Sequence, residues 1–175
     1  MAQVHAVAAA LAVDPDGPLF GVLILGAPGA GKSSLALSLV ETCPFRRTAL
    51  VADDAVRIDA ASGFPVAFAP PPIEGLIEVR GFGPARIRHV KSVRLRLAVD
   101  LSRPAERMPE PGVYAPPDTR ADAQGPGVPL YPIRWKGEEN LAAHRIRRIA
   151  VSILSGQLLQ CTQDRGFEKT ERNGR

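Results

Sequence analysis

The stretch FGVLILGAPGAGKSSLALSLV, residues 20–40, decides the fold of this chain. Its apolar start, Phe20–Leu25, predicts a buried strand. The next segment, Gly26–Ser33, spells GxxxxGK followed by serine, which is the phosphate-binding P-loop. Leu35 and Leu39 then recur at helical spacing. Because a P-loop requires this order of strand, loop and helix, the stretch predicts that the chain binds a nucleoside triphosphate.

Each residue type in the loop has a chemical reason. The glycines let the backbone turn its N–H groups toward one point and leave room for a phosphate. Lys32 can reach the β- and γ-phosphates, and Ser33 can offer its hydroxyl to Mg²⁺. The alternative is a glycine-rich turn that binds nothing, which the complete motif in its proper context disfavours. The predicted nucleotide-binding residues are Gly26, Ala27, Pro28, Gly29, Ala30, Gly31, Lys32, Ser33 and Ser34.

The composition favours one α/β domain. A chain of 175 residues can bury a single hydrophobic core, and we place the domain at residues 1–161 with a disordered tail at 162–175. The hydrophobic content of 45% and aromatic content of 5% suit an aliphatic core better than a base-stacking RNA surface. The net charge of +4 favours acidic ligands such as ATP. Alone it is weak evidence for nucleic acid, and we predict no nucleic-acid partner.

Cysteine usage and hydropathy indicate the compartment. Cys43 and Cys161 have no metal-ligand spacing, so free thiols in a reducing cytoplasm are expected. The N-terminal run lacks the positive region of a signal peptide, and no stretch is long enough to span a membrane. We therefore expect a soluble, cytoplasmic protein without a membrane partner.

The rest of the chain supplies strands and one further helix. Val4–Val13 predicts a strand that forms an opening hairpin with the P-loop strand, although its alanines leave a short helix open. Further strands are predicted at Thr48–Ala52, Leu76–Val79 and Ser92–Asp100, and a last helix at Asn140–Cys161. The pattern predicts a P-loop α/β domain with a mixed sheet.

Two later segments have distinctive patterns. In Ser92–Asp100 the apolar residues 93, 95, 97 and 99 are predicted to face one way, with Arg94 and Arg96 facing the other. The basic face is either solvated or a partner surface. Residues 109–132 are rich in proline and predict irregular chain, serving as an active-site or partner-facing loop.

Three acidic residues are candidates for the chemistry. Asp53 and Asp54 directly follow a predicted strand, and successive strand residues point to opposite faces, so one of them can face bound phosphates. That carboxylate can act through Mg²⁺ or as a base. A pair of loop-capping aspartates is the alternative. Glu78 and Arg80 are predicted to share a strand face, either as a metal ligand beside a phosphate-binding arginine or as a surface ion pair.

The segments VHAV, GAPGAGKSSLAL, LVADDAV and IEGLIEVRGFG, in this order, resemble the catalytic C-terminal domain of HPr kinase/phosphorylase. That bacterial enzyme phosphorylates a serine of HPr, the phosphocarrier protein of the sugar phosphotransferase system. The resemblance runs from about His5 to Arg107, and VADD and EVRGFG are its most specific parts. It implies a P-loop kinase-like fold with a mixed β-sheet flanked by helices, of the kind found in HPr kinase and PEP carboxykinase. It also implies ATP and Mg²⁺ as cofactors, a homo-hexamer, and the short alphaproteobacterial form in which no regulatory domain precedes His5.

The resemblance assigns roles residue by residue. Asp54 matches the aspartate that accepts the serine proton in phosphorylation and donates it in dephosphorylation, which leaves Asp53 in a supporting role. Lys32 matches the phosphate-binding lysine, His5 the active-site histidine and Arg107 a later active-site arginine. The matched metal ligands are Ser33 and Glu78, and the matched supporting residues are Asp53, Arg80 and Arg134.

One departure from the family bears on activity. The family's proline-arginine-proline-glycine-arginine stretch, which is tied to dephosphorylation, survives here only as Pro132–Gly137 with Arg134 retained. We therefore predict an ATP-dependent protein serine kinase for HPr or its nitrogen-system relative, with weak or absent phosphorylase activity. The alternatives are a small-molecule P-loop kinase, and a non-catalytic nucleotide-binding regulator or nucleic-acid binder that uses Arg86–Arg96.

Overall fold

A computed structural model of the chain describes residues 2–103, 107–117 and 127–157. Two helices and a mixed set of strands make up this part of the chain. The helices are α1 (Lys32–Glu41) and α2 (Glu139–Leu154), with a short 3-10 helix at Pro71–Ile73. The strands are β1 (Ala2–His5), β2 (Val7–Leu11), β3 (Phe20–Leu25), β4 (Ala49–Ala52), β5 (Ala55–Asp59), β6 (Val66–Phe68), β7 (Leu76–Val79), β8 (Gly83–Arg86), β9 (Ser92–Asp100), β10 (Gly112–Tyr114) and β11 (Val128–Pro132). None of the described helices has the length and apolar character that a membrane crossing requires.

The main sheet has nine strands and β9 at its centre. Its main path runs β1-β5-β6-β9-β3-β2-β4, while β11 pairs with β9 and β10 pairs with β11. The first part of β9 pairs antiparallel with β6, and its later part lies parallel to both β3 and β11. The hairpin β7–β8 forms a separate two-stranded sheet. The mixed α/β architecture predicted from the sequence is confirmed.

Apolar side chains cover both faces of the main sheet. One cluster joins α1 and α2 to the sheet through Leu35, Leu39 and Ile146, each fully buried. A second cluster, with Leu23 and Val56 among its members, lies on the other face. The strand that leads into the P-loop is therefore packed from both sides, which explains its continuous apolar sequence.

The predicted first strand, Val4–Val13, is two strands rather than one. No helix forms there, and β2 pairs antiparallel with β3, so the predicted opening hairpin is confirmed. The two strands are separated at Ala6, whose N–H donates to the carbonyl oxygen of Asp54 at 3.2 Å. Before this residue, β1 pairs with β5 instead. Because β1 pairs with β5, His5 lies opposite Ala55 and therefore close to the two aspartates.

The predicted strict alternation of β9 is wrong because the strand carries a β-bulge. Gly21 of β3 pairs with Leu95, but the next residue, Val22, pairs with Leu97, so Arg96 is an extra residue. Val93 and Leu95 consequently pack on one face of the sheet, while Leu97 and Val99 pack on the other. Gly21 is required here, since a Cβ would meet the carbonyl oxygen of Arg94.

The proline-rich segment 109–132 is partly regular, contrary to the prediction. Its two ends form the antiparallel pair β10–β11, and β11 extends the main sheet beside β9. The middle of the segment lies outside the described residues. The final helix is confirmed from Glu139 to Leu154, whereas the predicted end at Cys161 and the tail 162–175 lie outside the described residues.

Candidate active site

The P-loop connects β3 to α1 and leaves the start of the helix uncapped. Gly31 adopts a left-handed conformation with φ 98°, and no side chain in the described part of the chain caps the first turn of α1. The first N–H groups of a helix have no partners within it, so they are available to an anion. Gly31 also allows a close approach, because a Cβ there would collide with the indole of Trp135.

Lys32 is held over the loop rather than extended into solvent. Its side chain is buried, with 7% of the residue exposed. The ammonium group donates hydrogen bonds to the carbonyl oxygens of Gly26 at 2.9 Å and Ala27 at 3.2 Å. It also lies 3.0 Å from Nε2 of His5. The charge is therefore positioned at the mouth of the P-loop before any ligand arrives.

A cavity of about 240 Å³ opens beside Lys32, and we call it the Asp54 cavity. It gathers side chains from the P-loop, from the end of β1, from the β4–β5 turn and from the β7–β8 hairpin. Its lining consists of His5, Pro28, Gly29, Gly31, Lys32, Ser33, Ser34, Asp54, Glu78 and Arg80. The structure thus brings together residues that the sequence separates by up to 75 positions (His5 to Arg80).

His5 connects the lysine to the exposed aspartate. Its Nδ1 lies 2.9 Å from Oδ1 of Asp54, while Nε2 faces the Lys32 ammonium. An ammonium group can only donate, so Nε2 accepts and the ring proton sits on Nδ1, where it is donated to Asp54. The register of β1 against β5, with His5 opposite Ala55, places the imidazole next to that carboxylate.

The two aspartates occupy a turn between β4 and β5, and not the strand on which the prediction rested. Asp54 has φ 64°, a left-handed conformation that is uncommon outside glycine but tolerated by aspartate. Its side chain is 75% exposed. The prediction that the two carboxylates point to different places is confirmed, but the turn and not strand alternation is the cause.

Asp53 is buried, with 6% of the residue exposed, and both carboxylate oxygens have donors. Oδ1 accepts from the Ser33 hydroxyl at 2.8 Å, and Oδ2 accepts from the backbone N–H of Glu78 at 2.8 Å. Asp53 therefore ties the P-loop helix to strand β7. Through these two contacts it fixes the relative positions of Ser33 and Glu78.

A second cavity, of about 670 Å³, lies on the other side of the P-loop, and we call it the Trp135 cavity. It is bounded by the P-loop and by the segments that follow β9 and β11. Its lining consists of Ala27, Pro28, Gly29, Ala30, Leu101, Ser102, Arg103, Arg134, Trp135 and Lys136. Arg134 thus belongs to this cavity. Arg107 is exposed and, among the described residues, lines neither cavity.

Sequence reasoning missed Ser102 and Trp135. The Ser102 hydroxyl accepts a hydrogen bond from the N–H of Ala27 at 2.8 Å and so attaches the P-loop to the end of β9. Trp135 is the single tryptophan of the chain and touches the P-loop at Gly31. Neither has a motif of its own. The one available signal was that Trp135 is the single tryptophan of the chain.

Comparison with known families decides the assignment of this fold and loop. The family model described as HPr Serine kinase C-terminal domain matches residues 8–103, which cover the P-loop, the aspartates and the β7–β8 hairpin. The chain belongs to this family.

Proteins named HPr kinase/phosphorylase are similar to it in sequence. The protein from Brevibacillus brevis is 39% identical over 94 residues, covering 48% of this chain and 29% of the relative. The protein from Bordetella petrii is 42% identical over 91 residues, covering 47% of this chain and 28% of the relative. The chain therefore matches less than a third of the length of these two HPr kinase/phosphorylase relatives.

A solved structure shares the fold. The structure titled Hpr(Ser) kinase/phosphatase from Coxiella burnetii superposes with a TM-score of 0.65 at 21% sequence identity, covering 87% of this chain and 99% of that one. Because the superposition covers more of the chain than residues 8–103, the shared fold extends beyond the segment that the family model matches.

Proposed function

We propose that the chain is an ATP-dependent protein serine kinase whose acceptor is a serine of HPr or of its nitrogen-system relative. The observation that carries the proposal is the Asp54 cavity, in which the exposed Asp54 carboxylate, the Lys32 ammonium, the Ser33 hydroxyl and the Glu78 carboxylate surround one space. Membership of the HPr Serine kinase C-terminal domain family and the names of the relatives support the choice of acceptor.

The phosphates of ATP would lie on the start of α1. The uncapped N–H groups there and the Lys32 ammonium are fixed positive groups, and such groups stabilise the charge on a phosphoryl group during transfer. Lys32 donates to Gly26 and Ala27, so its ammonium group lies beside the loop and would exchange these hydrogen bonds for bonds to the phosphates when ATP binds. Arg80, which lines the same cavity, would add a second cation.

The donors in the cavity fit Mg²⁺. The ion binds through one or two protein oxygen ligands completed by substrate phosphates and water, so no cluster of three acidic residues is required. The Ser33 hydroxyl and the Glu78 carboxylate would hold it, and Asp53 contacts both residues. Bound Mg²⁺ would neutralise charge on the phosphate oxygens.

Asp54 would accept the proton of the acceptor serine. It is exposed toward the cavity and its partner there is His5, which orients the carboxylate without occupying both oxygens. Asp53 is unsuited to this task, since it is buried and both of its oxygens already accept hydrogen bonds. A base must reach the proton it takes, so exposure favours Asp54.

Phosphorylase activity, assembly and location complete the proposal. The altered Pro132–Gly137 stretch leads us to propose slow attack of inorganic phosphate on phosphoserine-HPr. Fast phosphate-dependent release of the phosphoryl group would contradict this part. We further propose a cytoplasmic homo-hexamer, on the family resemblance alone; its mass in solution, measured by light scattering, tests the assembly.

The direct test is phosphorylation of purified acceptors. The chain is incubated with ATP, Mg²⁺ and HPr-type proteins, and mass spectrometry locates any added phosphate, with Lys32→Ala as the inactive control. A phosphoserine on the HPr-type protein is the expected result. Release of ADP only when a small-molecule acceptor is present would instead identify a small-molecule kinase. Steeply salt-dependent binding to random DNA without transfer would identify a nucleic-acid binder.

A further inference from the structure

The Trp135 cavity is a second site that the proposed mechanism leaves unused. Pro28 and Gly29 line both cavities, so one face of the P-loop looks onto Asp54 and the other onto Trp135. A triphosphate lying on the loop with its γ end at Lys32 and Asp54 must extend its nucleoside away from them. The space on the opposite side of the shared wall is the Trp135 cavity.

The position of this cavity in the sheet is typical of ligand sites. Strands β11, β9 and β3 are parallel neighbours, and the three segments that bound the cavity all leave the carboxyl ends of these strands. Ligands of open α/β sheets bind at this edge. The volume of about 670 Å³ lies within the usual range for a small-molecule site.

The walls of the cavity are fixed by backbone contacts. The N–H of Leu101 donates to the carbonyl oxygen of Leu25 at 3.0 Å, and the N–H of Ile133 donates to that of Asp100 at 3.0 Å. Ile133 is itself buried in the core, with 5% exposed. The indole that follows two residues later is thus attached to the sheet on one side and packs against Gly31 on the other.

The charge of the cavity is lower than its three cations imply. Arg103 Nε lies 3.1 Å from an Asp100 carboxylate oxygen, and Arg134 is 3.6 Å from Glu138. Asp100 therefore offsets the charge of Arg103. Glu138 also pairs with Arg145, so it offsets the charge of Arg134 only in part. The lining combines polar side chains with small apolar residues of the P-loop and the tryptophan indole. A nucleoside has both polar and apolar faces, and an indole offers a stacking surface to any base.

We propose that the Trp135 cavity holds the base and ribose of the nucleoside triphosphate, with the indole of Trp135 as the surface on which the base stacks. The inference rests on the proposed function only in requiring that the P-loop binds a triphosphate. It adds the part of the site that distinguishes a nucleotide from a bare polyphosphate.

The first experiment uses tryptophan emission from the full chain. Because Trp135 is the single tryptophan, its fluorescence reports on this cavity alone. ATP should quench or shift the emission, whereas tripolyphosphate, which has no base, should compete with ATP but leave the emission unchanged. Emission that ATP leaves unchanged at saturation would overturn the proposal.

The second experiment measures affinities by calorimetry. Trp135→Ala should weaken ATP binding about tenfold and leave tripolyphosphate binding unchanged, and Trp135→Phe should retain most of the ATP affinity. Phe64→Ala, which removes an aromatic ring in the β5–β6 turn near the start of β9, is the control and should change neither affinity. Equal losses for ATP and tripolyphosphate would mean that Trp135 only supports the loop, and unchanged ATP affinity would mean that the base binds elsewhere.

The two proposals fail in different ways. If wild-type protein phosphorylates its acceptor while Trp135 is insensitive to ATP, the base site is wrong and the proposed function stands. If ATP binds at Trp135 but no acceptor is phosphorylated, the base site stands and the kinase function is wrong. If neither ATP nor tripolyphosphate binds, both fall.

Discussion

The Asp54 cavity and the Trp135 cavity share one wall but differ in chemistry. The first has two carboxylates in its lining, those of Asp54 and Glu78, opposite the cations of Lys32 and Arg80. Among the described residues, the lining of the second has no carboxylate, and it offers an indole, short apolar residues and three basic side chains. Proton transfer and metal binding are therefore possible on one side of the P-loop, while the other side can only bind and orient.

The largest expected effect comes from Lys32, which lines the Asp54 cavity. Lys32→Ala should leave a folded protein, because the side chain holds only loop carbonyls and His5, yet lower phosphoryl transfer by about 10³-fold or more. Transfer is measured by phosphoserine formation and folding by circular dichroism. A folded variant with a rate near wild type would remove the P-loop from the mechanism.

Asp54→Asn should have the next largest effect, confined to the Asp54 cavity. The amide keeps the shape of the side chain but cannot accept a proton, so turnover should fall by about 10² to 10⁴. Steady-state phosphorylation of the acceptor measures this loss. A decrease of less than about tenfold would show that another group takes the proton.

Asp53→Asn should act through Ser33 and Glu78 rather than on the serine. Loss of a residue that orients metal ligands costs about 10- to 100-fold in metal affinity or activity. We therefore expect an increased Mg²⁺ requirement and a lower free energy of unfolding, with much of the rate restored at high Mg²⁺. The rate is measured across a Mg²⁺ titration. A rate loss that no Mg²⁺ concentration relieves would contradict this role.

Ser102→Ala should have the smallest effect. It lies in the lining of the Trp135 cavity and contacts the P-loop at Ala27. It removes the acceptor of the Ala27 N–H, and a single hydrogen bond contributes about 1 kcal/mol. ATP affinity should fall by about two- to fivefold, by calorimetry. Ser62→Ala, in the distant β5–β6 turn, is the matched control. A loss of ATP affinity far greater than fivefold would mean that the end of β9 does more than hold the P-loop.

The difference between the cavities also explains what the sequence could predict. The P-loop is contiguous, and its spacing alone identifies Lys32 and Ser33. Asp54 and Glu78 are recognised because the segments that contain them, LVADDAV and IEGLIEVRGFG, follow the P-loop in the order that resembles HPr kinase/phosphorylase. The structure brings all of these residues to one cavity, so the Asp54 cavity was predictable in its composition.

The Trp135 cavity was not predictable, because its walls come from strand ends that only the topology brings together. Pairing of β11 with β9 places Trp135 beside the P-loop, and the proline-rich sequence around β11 gave no strand pattern. The bulge in β9 was also not predictable. The sequence alternates without interruption across Arg96, the extra residue, but the side chains after the bulge face the opposite side of the sheet from the one that alternation predicts. Arg107 remains a prediction without a place in either cavity.

The most direct measurement is single-turnover phosphorylation of an HPr-type protein by Asp54→Asn and Asp53→Asn side by side, with ATP affinity determined on the same samples. The account predicts that Asp54→Asn transfers about 10² to 10⁴ times more slowly than wild type while binding ATP as wild type does. It also predicts that Asp53→Asn is the faster of the two variants. If Asp53→Asn were the slower enzyme, with intact folding and ATP affinity, the assignment of Asp54 as the base would be contradicted.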